Sequence, residues 1–150
     1  MTNRSRWVGG FVLMIAAAAP ALAQDRTPAG RIKLTSGAAF VVRDGKSIPA
    51  QAGQVLMQSD AVRTDADGRI GITLNDDTRV SLGPSSELRL ERFLYEPAEG
   101  RLALAIKFVR GAAAYVSGRI AKLAPDSIRL ETPAAIIGVR GTTLAIRVQP

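Results

Sequence analysis

The chain has 150 residues, a formal charge of +7 from 20 Lys and Arg against 13 Asp and Glu, and neither cysteine nor histidine. The two missing residue types exclude disulfides, an N-terminal lipidated cysteine, thiol or imidazole nucleophile–base pairs, zinc sites of the common ligand types and haem attachment. The length fits one domain with a modest core, and that core must hold the fold without covalent staples.

Residues 1–23 read as a secretory signal peptide. Arg4 and Arg6 precede an apolar run from Trp7 to Leu22, and Ala21-Leu22-Ala23 forms a small-x-small cleavage site, with the cut expected after Ala23. Pro20 interrupts the run near that cut, and the apolar stretch is shorter than the ~20 residues a spanning helix needs. No membrane span is therefore expected after cleavage, and a chain outside the cytoplasm has no nucleic-acid partner. Removing Arg4 and Arg6 lowers the formal charge from +7 to +5. Residues 24–30 read as a short polar lead, and residues 31–148 as the folded domain.

Beyond the lead, alternation with period two dominates, the pattern of half-buried strands. Asp44-Gly45 separates Phe40–Arg43 from Ile48-Pro49. Ile70, Ile72 and Leu74 alternate with small residues, and Asn75-Asp76-Asp77 turns that strand into Thr78–Leu82 as a hairpin. Gly83-Pro84-Ser85 leads into Glu87–Glu91, where Leu88 and Leu90 alternate with charge. Glu96 to Gly100 turns into Arg101–Phe108. The segment from Gly111 to Val116 reads as a strand beside a close-packed neighbour. Ala124-Pro125-Asp126 precedes Ser127–Leu130, and Leu144, Ile146 and Val148 form the last strand. No sustained helical period occurs after the leader. The expectation is a single-domain, all-β fold: an antiparallel β-sandwich, or a β-roll or solenoid-like stack of many short strands.

Three features invite a functional reading. Asp65-Ala66-Asp67-Gly68 has part of a calcium-loop spacing but lacks the third ligand and the distant glutamate, so it reads as a polar turn. Asp76 and Asp77 are adjacent and diverge in a hairpin, which separates them as an acid–base pair. Thr132 to Thr142 is the most distinctive segment, because Gly138 and Gly141 bracket Val139-Arg140 as in a bulge or tight bend. Arg140, with Gly138, Gly141 and Thr142 around it, then either contacts a partner or ligand, or clips one strand end to a neighbouring turn, the commoner fate of strand-end arginines.

The ordered segments Gly37 to Arg43, Gly53-Gln54-Val55-Leu56, Ser59-Asp60-Ala61-Val62-Arg63-Thr64, Gly68 to Ile72, Asp76 to Leu82, Pro84 to Leu88, Arg110-Gly111 and Val139-Arg140-Gly141-Thr142 resemble the FecR-like periplasmic domain over about residues 31–148. Ser59 stands in place of the glycine of a G-D-x-I-x-T segment, and Asp77 where the family often has the glycine of a D-G-T/S turn. The resemblance implies an all-β, non-catalytic domain that relays the state of an envelope receptor to a sigma factor. A chain with a leader at one end and Pro150 at the other is expected to lack the cytoplasmic part that would touch the sigma factor.

The residues and the resemblance together point to a periplasmic, non-enzymatic interaction or regulatory module without cofactor or metal, binding an envelope protein through edge strands or the Arg140 segment. The alternative is a binder of an anionic envelope polymer, peptidoglycan or acidic polysaccharide, in which Arg69, Arg79, Arg89, Arg101, Lys107, Arg129 and Arg147 line one sheet face. A carboxylate-only glycosidase is the third reading, disfavoured because the acids are few and sit in turns. Oligomeric state is left open by these patterns.

Overall fold

A computed structural model describes residues 26–141 and 143–149. Its elements, in chain order, are β1 (Pro28–Ser36), β2 (Ala39–Arg43), β3 (Lys46–Pro49), β4 (Val55–Met57), β5 (Ala61–Thr64), β6 (Arg69–Leu74), β7 (Arg79–Leu82), β8 (Glu87–Glu96), β9 (Arg101–Val116), α1 (Arg119–Leu123), β10 (Ile128–Glu131), β11 (Ile136–Ile137) and β12 (Thr143–Val148). The signal-peptide reading of residues 1–23 lies outside the described residues.

The twelve strands form one hydrogen-bonded sheet curled into a half-barrel, with little helix. The all-β expectation holds, and the sheet is rolled upon itself. Its spine is β9, whose 16 residues serve two halves of the sheet. From Arg101 to Arg110 it pairs with β8, and Leu104–Lys107 pairs with β10, the single parallel ladder among the described pairings. From Gly111 to Val116 it pairs with β12, and Ala113–Val116 with β7. The first half continues through β5 and β2 to the edge strand β3, and the second through β6 and β1 to β4.

Each half turns one side inward. Val41, Val62, Leu88, Leu90, Leu104, Ile106, Phe108 and Leu130 from the first half meet Ile32, Ile70, Ile72, Leu74, Val80 and Tyr115 from the second in one buried cluster. Side chains of this size each contribute about 1.5–3 kcal/mol when fully buried, so this cluster supplies the stability that disulfides would otherwise lend. Period-two alternation places them: in β7 the pattern Arg79, Val80, Ser81, Leu82 runs exposed, buried, exposed, buried.

The sheet changes halves at Gly111. Its φ of 85° belongs to the left-handed region, and a Cβ there would stand 2.1 Å from the Ser86 hydroxyl. The contact is a bond as well as a close approach. Ser86, fully buried, accepts the Ala112 N–H at 3.0 Å and donates to the Pro84 carbonyl at 2.9 Å. Gly111 and Val116 therefore belong to the same long strand as Arg101–Phe108, rather than to a separate one.

Two further elements depart from the sequence reading. Strand β1 opens at Pro28, inside the segment read as a polar lead, and β1 pairs with both β6 and β4. The alternation in β1 is masked by a bulge between Ile32 and Leu34, which leaves Leu34 58% exposed. Helix α1 was not expected. Its first N–H groups find acceptors on a distant hairpin: Arg119 donates to the Asp76 carbonyl at 2.7 Å and Ile120 to the Asp76 carboxylate at 3.3 Å.

Candidate functional site

Buried polar residues concentrate in the ordered motifs, and they hold the fold together. Asp60, 1% exposed, accepts Arg43 Nε at 2.9 Å, Arg43 Nη2 at 2.7 Å and the Met57 N–H at 2.9 Å. Arg43 also donates to the Val55 carbonyl at 3.0 Å, so one guanidinium ties β2 to the β4–β5 turn. The bond to Asp60 raises the Arg43 pKa against the opposing effect of burial. Thr64 donates to the Gly83 carbonyl at 2.6 Å and accepts the Ser86 N–H at 3.0 Å. Asp76 accepts the Thr78 N–H at 3.1 Å and the Thr78 hydroxyl at 2.8 Å. Asp76 is buried and Asp77 exposed, so the pair diverges as the hairpin reading requires. A buried polar group left unbonded costs about 1–3 kcal/mol, so losing any one of these partners should destabilise the fold.

The Gly138–Gly141 segment is different in kind, being mostly exposed. Thr132 and Ala135 close a turn through reciprocal backbone bonds, and Ile136–Ile137 then pairs with β10. Val139, 2% exposed, plugs into the core and pins the segment. Around that anchor Gly138, Arg140 and Gly141 face solvent. Gly141 has a φ of 55°, as a bend requires, whereas nothing in the structure explains the glycine at 138. Thr142 lies outside the described residues.

Arg140 makes no hydrogen bond or ion pair among the described residues. It lines a cleft of about 580 Å³ together with Pro125, Asp126, Ile128, Gly138 and Val139. The chain runs from Arg140 into β12, which pairs with β9 from Thr143 opposite Val116 to Val148 opposite Gly111. Beyond the far end of β12 a second cleft of about 450 Å³ is lined by Ser85, Arg110, Arg147 and Gln149, among others.

Among the described residues four strands pair on one side only: β3, β4, β11 and β12. Strand β4 has three residues and β11 two. Strand β3 carries Lys46 and Pro49, the residues with which sheet edges are ordinarily blunted. Strand β12 has six residues, without proline, lysine or an acidic side chain. It is the longest of these four edges, with Arg147 its one charged side chain, and sequence reading alone did not distinguish it from its neighbours.

The basic residues do not line one face. Arg69, Arg79 and Arg147 lie on the outer side of the second half, whereas Arg89, Lys107 and Arg129 lie on the outer side of the first. Arg101 sits at the β8–β9 turn, 3.2 Å from Glu96. Of the aromatic residues, Phe93, Phe108 and Tyr115 are buried, and the Arg63 guanidinium stacks 5.2 Å from the centre of the Phe40 ring. Tyr115 has its pKa raised by burial, beside Ser117 and Thr78. Among the described residues no cluster of three or more Asp and Glu is placed to hold a metal ion, and no helix is long and apolar enough to cross a membrane.

Residues 60–150 match the family model described as FecR protein. No curated protein and no solved structure matches the chain. FecR domains are typical of envelope signalling and anti-sigma regulators, are usually periplasmic and are generally non-catalytic. With more than half its length covered by that model, this chain belongs to the FecR protein family.

Proposed function

We propose that the protein is a non-catalytic module of the bacterial envelope that binds a protein partner along β12 and the adjoining Arg140 segment. The single observation that carries this reading is the edge of β12, unpaired on its outer side among the described residues and continuous with an exposed arginine that has no partner among them. Every second residue of an edge strand turns its N–H and C=O away from the sheet, and an extended partner segment satisfies those groups by adding a strand. Arg140, Gly138, Gly141 and Thr142 would set which segment fits, with the guanidinium fork selecting a carbonyl or carboxylate at one end.

The same reading places the mature chain, from Gln24 onward, in the periplasm after removal of residues 1–23. The family's usual location and the sequence of the leader support it. N-terminal sequencing of protein recovered from a periplasmic fraction checks this directly, with Gln24 as the expected first residue.

Affinity capture from periplasm tests the partner. A defined protein should be retained by the wild type and lost with Arg140→Ala and with Ala145→Pro, the latter placing proline in the edge strand. A bait that emerges alone, or a partner retained equally by both variants, would overturn the assignment.

A further inference from the structure

The outer side of the first half carries a second surface. Register across β8, β9 and β10 sets Arg92 opposite Ala105, and Ala105 opposite Arg129. One step along, Arg89 stands directly opposite Lys107. Adjacent strands lie about 4.8 Å apart, so the Arg92 and Arg129 backbones are about 10 Å apart across a floor made by one methyl group. Ala103, two residues from Ala105 on the same strand, extends that floor.

Two acids on this side are engaged, whereas Glu91, exposed in the bulge beside Arg92, has no ion pair among the described residues. Glu87 lies 3.6 Å from Arg89 and 3.8 Å from Arg110, and Glu131 pairs with Arg129. Arg92 and Lys107 have no ion pair among the described residues. Lys107 stands between Arg89 on β8 and Glu131 on β10, so its like-charge neighbour on one side is offset by an opposite charge on the other.

We infer that this face binds a linear polyanion: a flexible chain bearing carboxylate or phosphate groups at intervals, laid across Ala103 and Ala105 and held by Arg89, Arg92, Lys107 and Arg129. Chain length follows from exposure. The Arg89 and Arg129 side chains are 57% and 59% exposed, and a single contact to such a group gains at most about fivefold in affinity. An isolated phosphate therefore binds weakly, whereas several linked oxyanions engage at once and multiply the effect. A bilayer is the poorer occupant, because Ile136 is the one large exposed apolar side chain placed on this side, and it stands opposite Glu131.

The test uses the full chain and four probes: polyphosphate, a heparin oligosaccharide, inorganic phosphate at matched charge concentration, and vesicles of phosphatidylglycerol and phosphatidylcholine. Either or both polyanions should bind, the arms separating phosphate from carboxylate and sulfate sources, with log affinity falling linearly as log salt rises. Inorganic phosphate should bind at least ~100-fold more weakly. Arg92→Ala with Arg129→Ala should lose about tenfold or more in affinity, and the two Lys substitutions at the same sites should restore most of it. Arg69→Ala with Arg79→Ala removes the same charge from the other half and should cost less than about twofold. Equal losses in the two double variants would reduce the effect to net charge and overturn the assignment. So would tighter binding to the vesicles than to either polymer, or no polymer binding at low salt.

Discussion

Gly111 packs against Ser86 so closely that a Cβ on the glycine would stand 2.1 Å from the hydroxyl and 2.6 Å from the serine Cα. At that point one strand passes from the first half of the sheet to the second, and the hydroxyl occupies the space a side chain would need. Gly111→Ala must take an alanine to a φ of 85° and displace a buried, doubly bonded serine. The left-handed conformation alone costs about 1–2 kcal/mol, and with the overlap the loss should exceed about 3 kcal/mol. Thermal denaturation should show a drop on the order of 10 °C. Adding Ser86→Gly should recover part of the loss, a coupling that a simple sum of two independent substitutions would not show.

Ser59 and Asp77 are non-glycine residues held in the left-handed region, with φ values of 73° and 68°. The strain of a left-handed non-glycine residue exceeds the entropy glycine forfeits on folding, so Ser59→Gly should stabilise the protein by about 0.5–1 kcal/mol. Asp77→Gly should gain less, since it also removes an exposed ion pair to Arg119 at 3.0 Å. Denaturant midpoints for the two variants measure this directly.

Arg43→Ala leaves the buried Asp60 carboxylate with the Met57 N–H as its one partner among the described residues. Breaking such a pair costs about 2–4 kcal/mol, with Arg43 partly exposed and so below the full value for a buried pair. Asp60→Asn should cost less, because the amide oxygen can still accept from Met57 or from the guanidinium. Urea unfolding of the two variants should rank them in that order.

Burial holds the Tyr115 phenol above its ordinary value. The neutral form is favoured in the folded state, so the stability it contributes is fully present below about pH 10 and is lost as pH climbs from there through the folded value. Alkaline unfolding should therefore begin above about pH 10 and move to higher pH in Tyr115→Phe, read by near-ultraviolet absorbance against pH.

Strands whose neighbours on the sheet are sequence neighbours were legible. The alternation in Arg69–Leu74 and Arg79–Leu82, with the Asn75–Asp77 turn between them, describes a hairpin that the structure contains. Strand β1 was not legible because its bulge breaks the period and its opening residues include Pro28 and Gly30. Helix α1 has a glycine N-cap and no side-chain cap of its own. Its partner is Asp76, more than forty residues away in sequence, so no local signal announces it.

The candidate surfaces were legible in composition and not in place. Alternation tells which residues of one strand share a side, but strand order decides which sides join. Strand order put Arg89 beside Lys107 and set Arg79 on the other half of the sheet. The exposure of Arg140 is likewise set by its surroundings: Val139 anchors the segment, and no acceptor for the guanidinium lies among the described residues.

The central claim is that a partner adds to the sheet at β12. A photo-crosslinking side chain placed in living cells at position 140 or 145, and separately at position 48 on the blunted edge β3, tests it most directly. Positions 140 and 145 should each give one discrete protein adduct and position 48 none. Adducts from position 48 alone, or none from the β12 side in cells that secrete the protein, would contradict it.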